Sequence, residues 1–284
     1  MSKYAFFLLC VMFPFSVLSA WFGLGEKTSI EPAGNHYSQS FYAVKKTMLD
    51  KIYYDHKRTL YCKAEFNNRK KIKLPEGFRI PDLKKTDFKV FEISQEELEQ
   101  RIARMEWEHI VPAENFGRTF PEWSKGHKNC TSNKGKKYKG RSCAEQESEA
   151  FRYMYTDMYN LYPSVGLVNY LRGNFNFTQF SKQDNVKNIF GSCEMKISRN
   201  KVEPPDNVKG LIARTYFYME QTYPRYKIGE PMRAILKTWD KIYPVTRWEC
   251  KRAYRIEKIQ GNANKIVKAK CQNKGFYRDV KEAR

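Results

Sequence analysis

Apolar residues recur along this chain with two different periods, and the switches between them mark out its elements. Phe41, Val44, Met48 and Ile52 fall at spacings that put them on one face, predicting a helix within residues 36–60. From Tyr61 to Leu74 apolar and basic residues interleave in short strand-like runs, which Pro75, Gly77 and Pro81 break. Ser94 followed by Glu97 is a capping box and predicts a helix over 95–103. The stretch MEWEHIVPAENFG comes next and alternates. Met105, Trp107, His109 and Val111 share one side of a strand, Glu106, Glu108 and Ile110 share the other, and Pro112 ends it.

Residues 125–141, KGHKNCTSNKGKKYKGR, have no apolar period and read as an exposed cationic loop. Residues 145–159 read as one helix, with Phe151, Met154, Tyr155 and Met158 as its core stripe. In NLYPSVGLVNYLRGN, Pro163 and Gly166 mark a turn or loop. A short helix follows, with Asn169 and Arg172 on one face. FTQFSKQDN reads as a loop and GSCEMKI as a short strand. Three helices are predicted beyond them, in LIARTYFYMEQTY, IGEPMRAILKTWDKIYP and RWECKRAYRIEKIQGN. With no repeat and no long linker, this is an α+β chain, mainly helical, in a single domain.

The first twenty residues change the picture of where the chain works. Lys3, the apolar run from Tyr4 to Leu18 and the small pair Ser19 and Ala20 have the pattern of a secretory signal peptide, so the mature domain is expected over 21–284. The run is interrupted by Pro14 and is short of the roughly 20 residues a bilayer span needs. No later segment suggests a membrane span. Of seven cysteines, Cys10 leaves with the signal, and Cys62, Cys130, Cys143, Cys193, Cys250 and Cys271 remain. An even number in an exported chain argues for disulfides, with Cys130–Cys143 and Cys250–Cys271 as local candidates. None of them forms a CxxC pair, which argues against a structural zinc site.

Charge narrows the partner. The 52 basic and 31 acidic residues give a formal net charge of +21. Such an excess repels itself in the folded state and suits an anionic partner such as nucleic acid, an anionic membrane surface or an acidic polysaccharide, although solubility alone would also use it. The 19 Tyr and 19 Phe suit base stacking and an ordinary core equally.

Only four histidines occur, and His109 directly follows Glu108. A histidine so placed can be a buried structural group, a metal ligand or a general base. The HExxH spacing of zinc proteases is absent, and His36, His56 and His127 are scattered. A hard cation such as Mg²⁺ is easier to assemble, because it needs one or two protein oxygens and keeps its waters for the substrate. Glu108 and an asparagine carbonyl could supply those oxygens, leaving His109 to deprotonate water. Neighbouring residues on a regular strand point to opposite faces, so both can serve one site only where the strand ends or bulges.

MEWEHIVPAENFG, KNC at Lys128, DMYNLYPSVGLVN with RGNF, GSCEMK, EPPDNVKGLIARTYFYM, WDKIYPVTRWECKR and IQGNAN together resemble the endonuclease I family, from about Phe41 to Cys271. These are exported bacterial nucleases built around a ββα-metal finger, here expected over about 104–175. The resemblance implies His109 as general base, Glu108 and Asn169 as metal ligands, Asn160 as an orienting residue and Arg172 near the substrate phosphate. Where family members carry an arginine in a Gly-Gly-Arg-Lys-Asn-Cys stretch, this chain reads KGHKNC, so His127 or Lys128 is expected to supply that positive charge. The run after Gly166, LVNYL, is also more apolar than the family pattern.

The expected activity is therefore metal-dependent hydrolysis of DNA phosphodiesters, with RNA as a second candidate substrate, in a secreted or periplasmic monomer. Mg²⁺ is the expected cofactor, with Mn²⁺ or Ca²⁺ as substitutes. The resemblance implies 5′-phosphate products and little sequence preference, which fits phosphate contacts that carry affinity but no base information. The rival reading is an exported cationic protein that binds nucleic acid without cutting it.

Overall fold

The computed structural model describes residues 34–277 except 89 and 91, so the expected signal peptide lies outside the described residues. Seven short strands run β1 Glu65–Phe66, β2 Ile72–Lys73, β3 Met105–His109, β4 Leu161–Val165, β5 Asn176–Phe177, β6 Lys196–Ser198 and β7 Lys201–Glu203. The N-terminal helices are α1 Phe41–Thr47, continued by a π-helical turn to Ile52, and α2 Gln95–Ala103. Four short ones follow: α3 Ala113–Gly117, α4 Pro121–Ser124, α5 Arg141–Glu147 and α6 Glu149–Tyr155. Then come α7 Gly166–Arg172, α8 Asp206–Thr222, α9 Glu230–Ile242, α10 Arg247–Gln260 and α11 Lys265–Asn273. The expected α+β, mainly helical domain is what is observed.

At its centre β3 pairs antiparallel with β4 over its whole length, Met105 facing Val165 and His109 facing Leu161, and α7 leaves β4 at once. The close turn into α7 requires Gly166. A Cβ there would lie 2.5 Å from the Arg101 carbonyl oxygen at the end of α2. The expectation of a turn or loop from Pro163 needs correcting, since Pro163 lies inside β4. Its carbonyl faces away from β3 and accepts from Leu60 N at 2.7 Å. Proline is tolerated because β4 is an edge strand on that side.

Two further expectations are corrected nearby. The helix over 145–159 is two helices, broken at Ser148, whose hydroxyl accepts from Phe151 N and caps α6. The cationic loop is present as expected and ends at Gly140, which holds φ +84° just before Arg141 opens α5. The GSCEMKI strand is displaced toward the C-terminus. It forms β6 and turns through Arg199 and Asn200, both at positive φ, into β7. Helix α11 was not anticipated.

The C-terminal helices brace the β3–β4 pair. Arg252 of α10 is buried, its Nη2 donating to the carbonyls of Met158 and Leu161 at 2.6 and 2.7 Å and its Nη1 and Nε to the hydroxyls of Tyr162 and Tyr53. Asp157, also buried, accepts from the hydroxyls of Tyr218 and Tyr223 and from Gln260. A buried carboxylate with that many donors is a satisfied anchor, not an orphan charge. Cys130–Cys143 and Cys250–Cys271 are bridged, and Cys62–Cys193 ties segments 131 residues apart. Among the described residues no helix is long and apolar enough to cross a membrane.

Candidate active site

The site begins where β3 stops. After His109 the chain makes one more main-chain bond, Ile110 N to Asn160 O at 3.0 Å, and then reaches Pro112. Asn160 is fully buried and its amide bonds both main-chain groups of Val111, so a side chain takes over where the ladder ends. This termination lets consecutive residues serve one cleft. Glu108, His109, Asn169 and Arg172 all line a cavity of about 420 Å³, with Phe41, Trp123, Tyr155 and Tyr170 among its walls.

His109 is half-buried, and its orientation is fixed. Its Nε2 lies 2.8 Å from the carbonyl oxygen of Tyr155. A carbonyl can only accept, so Nε2 carries the proton and Nδ1 is left as an unprotonated acceptor. The ring stacks on Tyr155 at 4.7 Å between centroids and on Phe41 at 5.5 Å. Burial pulls the imidazole well below its ordinary value, to about 3, against the Tyr155 carbonyl bond and helped by the charges of Arg141 and Arg172. The ring is thus neutral at ordinary pH.

Glu108 is 2 % exposed. Its Oε1 accepts from the Tyr61 hydroxyl at 2.9 Å and sits 3.1 Å from Arg172 Nη1. Burial pushes the carboxyl up to about 7, with the Arg172 charge and the Tyr61 bond opposing. Asn169 donates its Nδ2 to Glu106 Oε2 at 2.9 Å, and Glu106 is itself held by Arg101 and Arg104. That bond turns the Asn169 carbonyl oxygen away from Glu106 as a free acceptor. No described residue bonds Glu108 Oε2. The donor set is therefore one carboxylate oxygen and one amide oxygen on separate elements, which suits a hard, partly hydrated dication. Among the described residues no group of three His, Cys, Asp or Glu could hold a metal ion.

Of the other expected residues, Arg172 lies at the cleft and His127 and Lys128 do not. Arg172 is 1 % exposed and its Nη groups face Glu108 and the carbonyls of His109 and Ile110, the last two at 2.9 and 2.6 Å. It braces the cleft floor and presents no guanidinium edge to solvent. His127 and Lys128 do not line the cleft, and His127 Nδ1 lies 2.9 Å from Glu147. Sequence reading passed over Glu106, although its place two residues before Glu108 on the same strand face is a usable signal. It also left the Tyr155 carbonyl unseen, since main-chain partners carry no residue signature.

A second cavity of about 320 Å³ lies on the β4 side, lined by Tyr162, Pro163, His56 and Trp248 over a buried Arg214–Glu249 pair. Its buried charges already satisfy one another, and it collects no acid, base and ligand set.

The endonuclease I family model matches residues 39–271. An endonuclease-1 of Buchnera aphidicola subsp. Baizongia pistaciae is 35% identical over 256 residues, covering 89% of this chain and 93% of that protein. An extracellular deoxyribonuclease of Aeromonas hydrophila is 36% identical over 245 residues, 85% of this chain and 93% of its own length. A periplasmic deoxyribonuclease of the same organism is 35% identical over 239 residues, 83% and 88% of the two chains.

Proposed function

This chain belongs to the endonuclease I family, and we propose that it is an exported, divalent-metal-dependent endonuclease that hydrolyses DNA phosphodiesters in the His109 cleft. The observation that carries this is the convergence of Glu108, His109 and Asn169 on one cavity from the end of β3 and from α7. Relatives named as extracellular and periplasmic deoxyribonucleases support both the substrate and the compartment.

In this reading Nδ1 of His109 takes the proton of the attacking water, while the Tyr155 carbonyl keeps the proton on Nε2 and the ring in place. Glu108 and Asn169 would hold the cation, preferably Mg²⁺. When bound, such an ion neutralises charge that develops on the phosphate and the departing oxygen. Glu106 accepts from the Asn169 amide nitrogen and so fixes the orientation in which its oxygen would serve as a ligand. The surplus of 52 basic over 31 acidic residues draws the polyanion in without reading its bases. Duplex and single-stranded DNA, and RNA, can all present a phosphodiester to this chemistry.

The test is plasmid nicking with Mg²⁺, with and without EDTA, on the parent protein and on His109→Ala. Cleavage that EDTA stops and His109→Ala abolishes is the expected result. Gel retardation with no cleavage by the parent protein would leave only a cationic binding protein.

A further inference from the structure

We infer that residues 130–139 form an ordered cationic arm that grips backbone phosphates flanking the scissile bond, outside the His109 cleft, and carries much of the salt-sensitive hold on DNA. This rests on the hydrolytic reading of that cleft and adds the place where the polyanion is held. No carboxylate occurs between Glu122 and Glu145, a span that contains Lys125, Lys128, Lys134, Lys136, Lys137 and Lys139, all of them exposed. Among the described residues, lysines elsewhere are spent on ion pairs, Lys196 and Lys209 on Glu203, Lys251 on Asp55 and Lys268 on Glu257, and none of these six pairs with a carboxylate.

A merely solvated charge run needs no fixed shape, and this one has a shape. Tyr138 N donates to Cys130 O at 2.9 Å and Ser132 N to Lys136 O at 2.8 Å, which makes 130–138 a hairpin with Thr131 bridged to Lys137. At its tip Gly135 holds φ +73°, and the Ser132 hydroxyl accepts from Lys136 N at 3.1 Å. Three contacts fasten the hairpin to α5. Cys130 is bridged to Cys143, the Tyr138 hydroxyl donates to Gln146, and Asn129 Nδ2 donates to Glu147 at 2.9 Å.

The feet of the arm stand on the cleft wall. Gly140 N donates to Trp123 O at 3.0 Å, and the Arg141 guanidinium lies 5.7 Å from the centre of the Tyr155 ring. Trp123, Arg141 and Tyr155 all line the cleft, whereas no lysine of the arm does. The arm's charge therefore meets phosphates next to the one being cut. Each phosphate neutralised releases condensed counterions, which gives affinity without base information. A hairpin already ordered before binding loses little freedom when it docks. The net charge of +21 attracts a polyanion from any side, but only a cluster fixed beside the cleft favours a strand lying across it.

The experiment compares two fourfold variants of the whole protein. The arm variant joins Lys134→Ala, Lys136→Ala, Lys137→Ala and Lys139→Ala. The control variant removes the same charge from exposed lysines of the C-terminal helices, Lys237→Ala, Lys241→Ala, Lys258→Ala and Lys265→Ala. Binding is read by fluorescence anisotropy in the His109→Ala background, with EDTA, on a duplex of about 30 base pairs between about 50 and 200 mM KCl. The slope of log Kd against log salt should fall by about 2–4 in the arm variant and by less than about 1 in the control. Replacing the same four arm lysines by arginine should restore the parent slope, which separates lost charge from a damaged hairpin. With His109 in place, the arm variant should show a raised KM for plasmid and little change in kcat. Equal loss of slope in arm and control variants would overturn the assignment, as would parent-like binding by the arm variant or an arginine variant as weak as the alanine one. A parent protein that binds but does not cleave would instead remove the hydrolytic reading beneath it and leave the slopes to be judged alone.

Discussion

Asn160 bonds both main-chain groups of Val111, its Oδ1 accepting from Val111 N at 2.8 Å and its Nδ2 donating to Val111 O at 3.0 Å. The amide imitates one more residue of ladder at the point where β3 has to release His109 into the cleft. Asn160→Asp keeps the acceptor and removes the donor, leaving the Val111 carbonyl against a buried carboxylate. An unmet buried group costs about 1–3 kcal/mol, so the variant should melt several degrees lower. Because His109 is carried by the same strand end, kcat should fall with KM little changed. Melting curves and cleavage kinetics check both outcomes, and an unchanged melting point would show that the amide does not hold the strand.

Glu106 touches no water or substrate in the proposed reaction, yet it sets the direction of the Asn169 amide. Glu106→Gln should weaken metal binding by about 10–100-fold, the usual effect of losing a partner behind a ligand. Titration calorimetry with Mg²⁺ or Mn²⁺ on the DNA-free protein reads this directly. Saturating metal should return most of the cleavage rate, which distinguishes a positioning residue from a ligand.

The raised carboxyl of Glu108 links metal affinity to pH. With its midpoint pushed up to about 7, the side chain is protonated in the metal-free protein on the acid side of neutrality. A proton and a cation compete for the same oxygens. The metal Kd should therefore rise as pH falls from 8 to 6 and approach a tenfold change per unit below the midpoint. A Kd independent of pH over that interval would mean that Glu108 is already ionised without the ion.

His109 has the opposite sign. Its folded-state value, about 3, lies below the 6.5 of an unfolded histidine. Between those values the unfolded chain binds the extra proton, so stability contributed by the neutral ring is complete above pH 6.5 and is lost as pH falls toward 3. Denaturant titrations of the parent and of His109→Gln should converge on acidification. About 1–2 kcal/mol of the parent's advantage should disappear between pH 7 and pH 5. Parallel curves for the two proteins would show the ring to be solvated.

The Cys62–Cys193 bridge spans 131 residues of sequence and joins the segment before β1 to the segment before β6. Closing so long a loop typically contributes about 2–5 kcal/mol. Cys62→Ser/Cys193→Ser should unfold at lower denaturant than the parent and resemble the parent treated with reductant. A chain held in a reducing compartment would then be the less stable form, and equal stability with and without reductant would remove that form of control.

Much of the unit formed by β3, β4 and α7 was legible from the chain. β3, the EH pair and the helix bearing Asn169 announce themselves through alternation, a rare histidine and helical spacing. β4 was hidden because Pro163 argues against a strand, and the argument fails only where the proline's missing donor faces outward on an edge. Arg141 was hidden inside a charge run, since spacing cannot show which of many cations a disulfide carries to a cleft. The pairing of Cys62 with Cys193 joins distant segments, whereas Cys130–Cys143 and Cys250–Cys271 are close enough in sequence to suggest themselves.

Arg252 supports the strand pair from a helix that follows it by some ninety residues, bonding the carbonyls of Met158 and Leu161. A nascent chain released from the ribosome in order can hold all of β3, β4 and α7 and still lack this brace. Catalytic competence would then wait until the last helices have been translated and seated. An exporter that engages the other end first meets a polypeptide not yet able to harm its maker's genome.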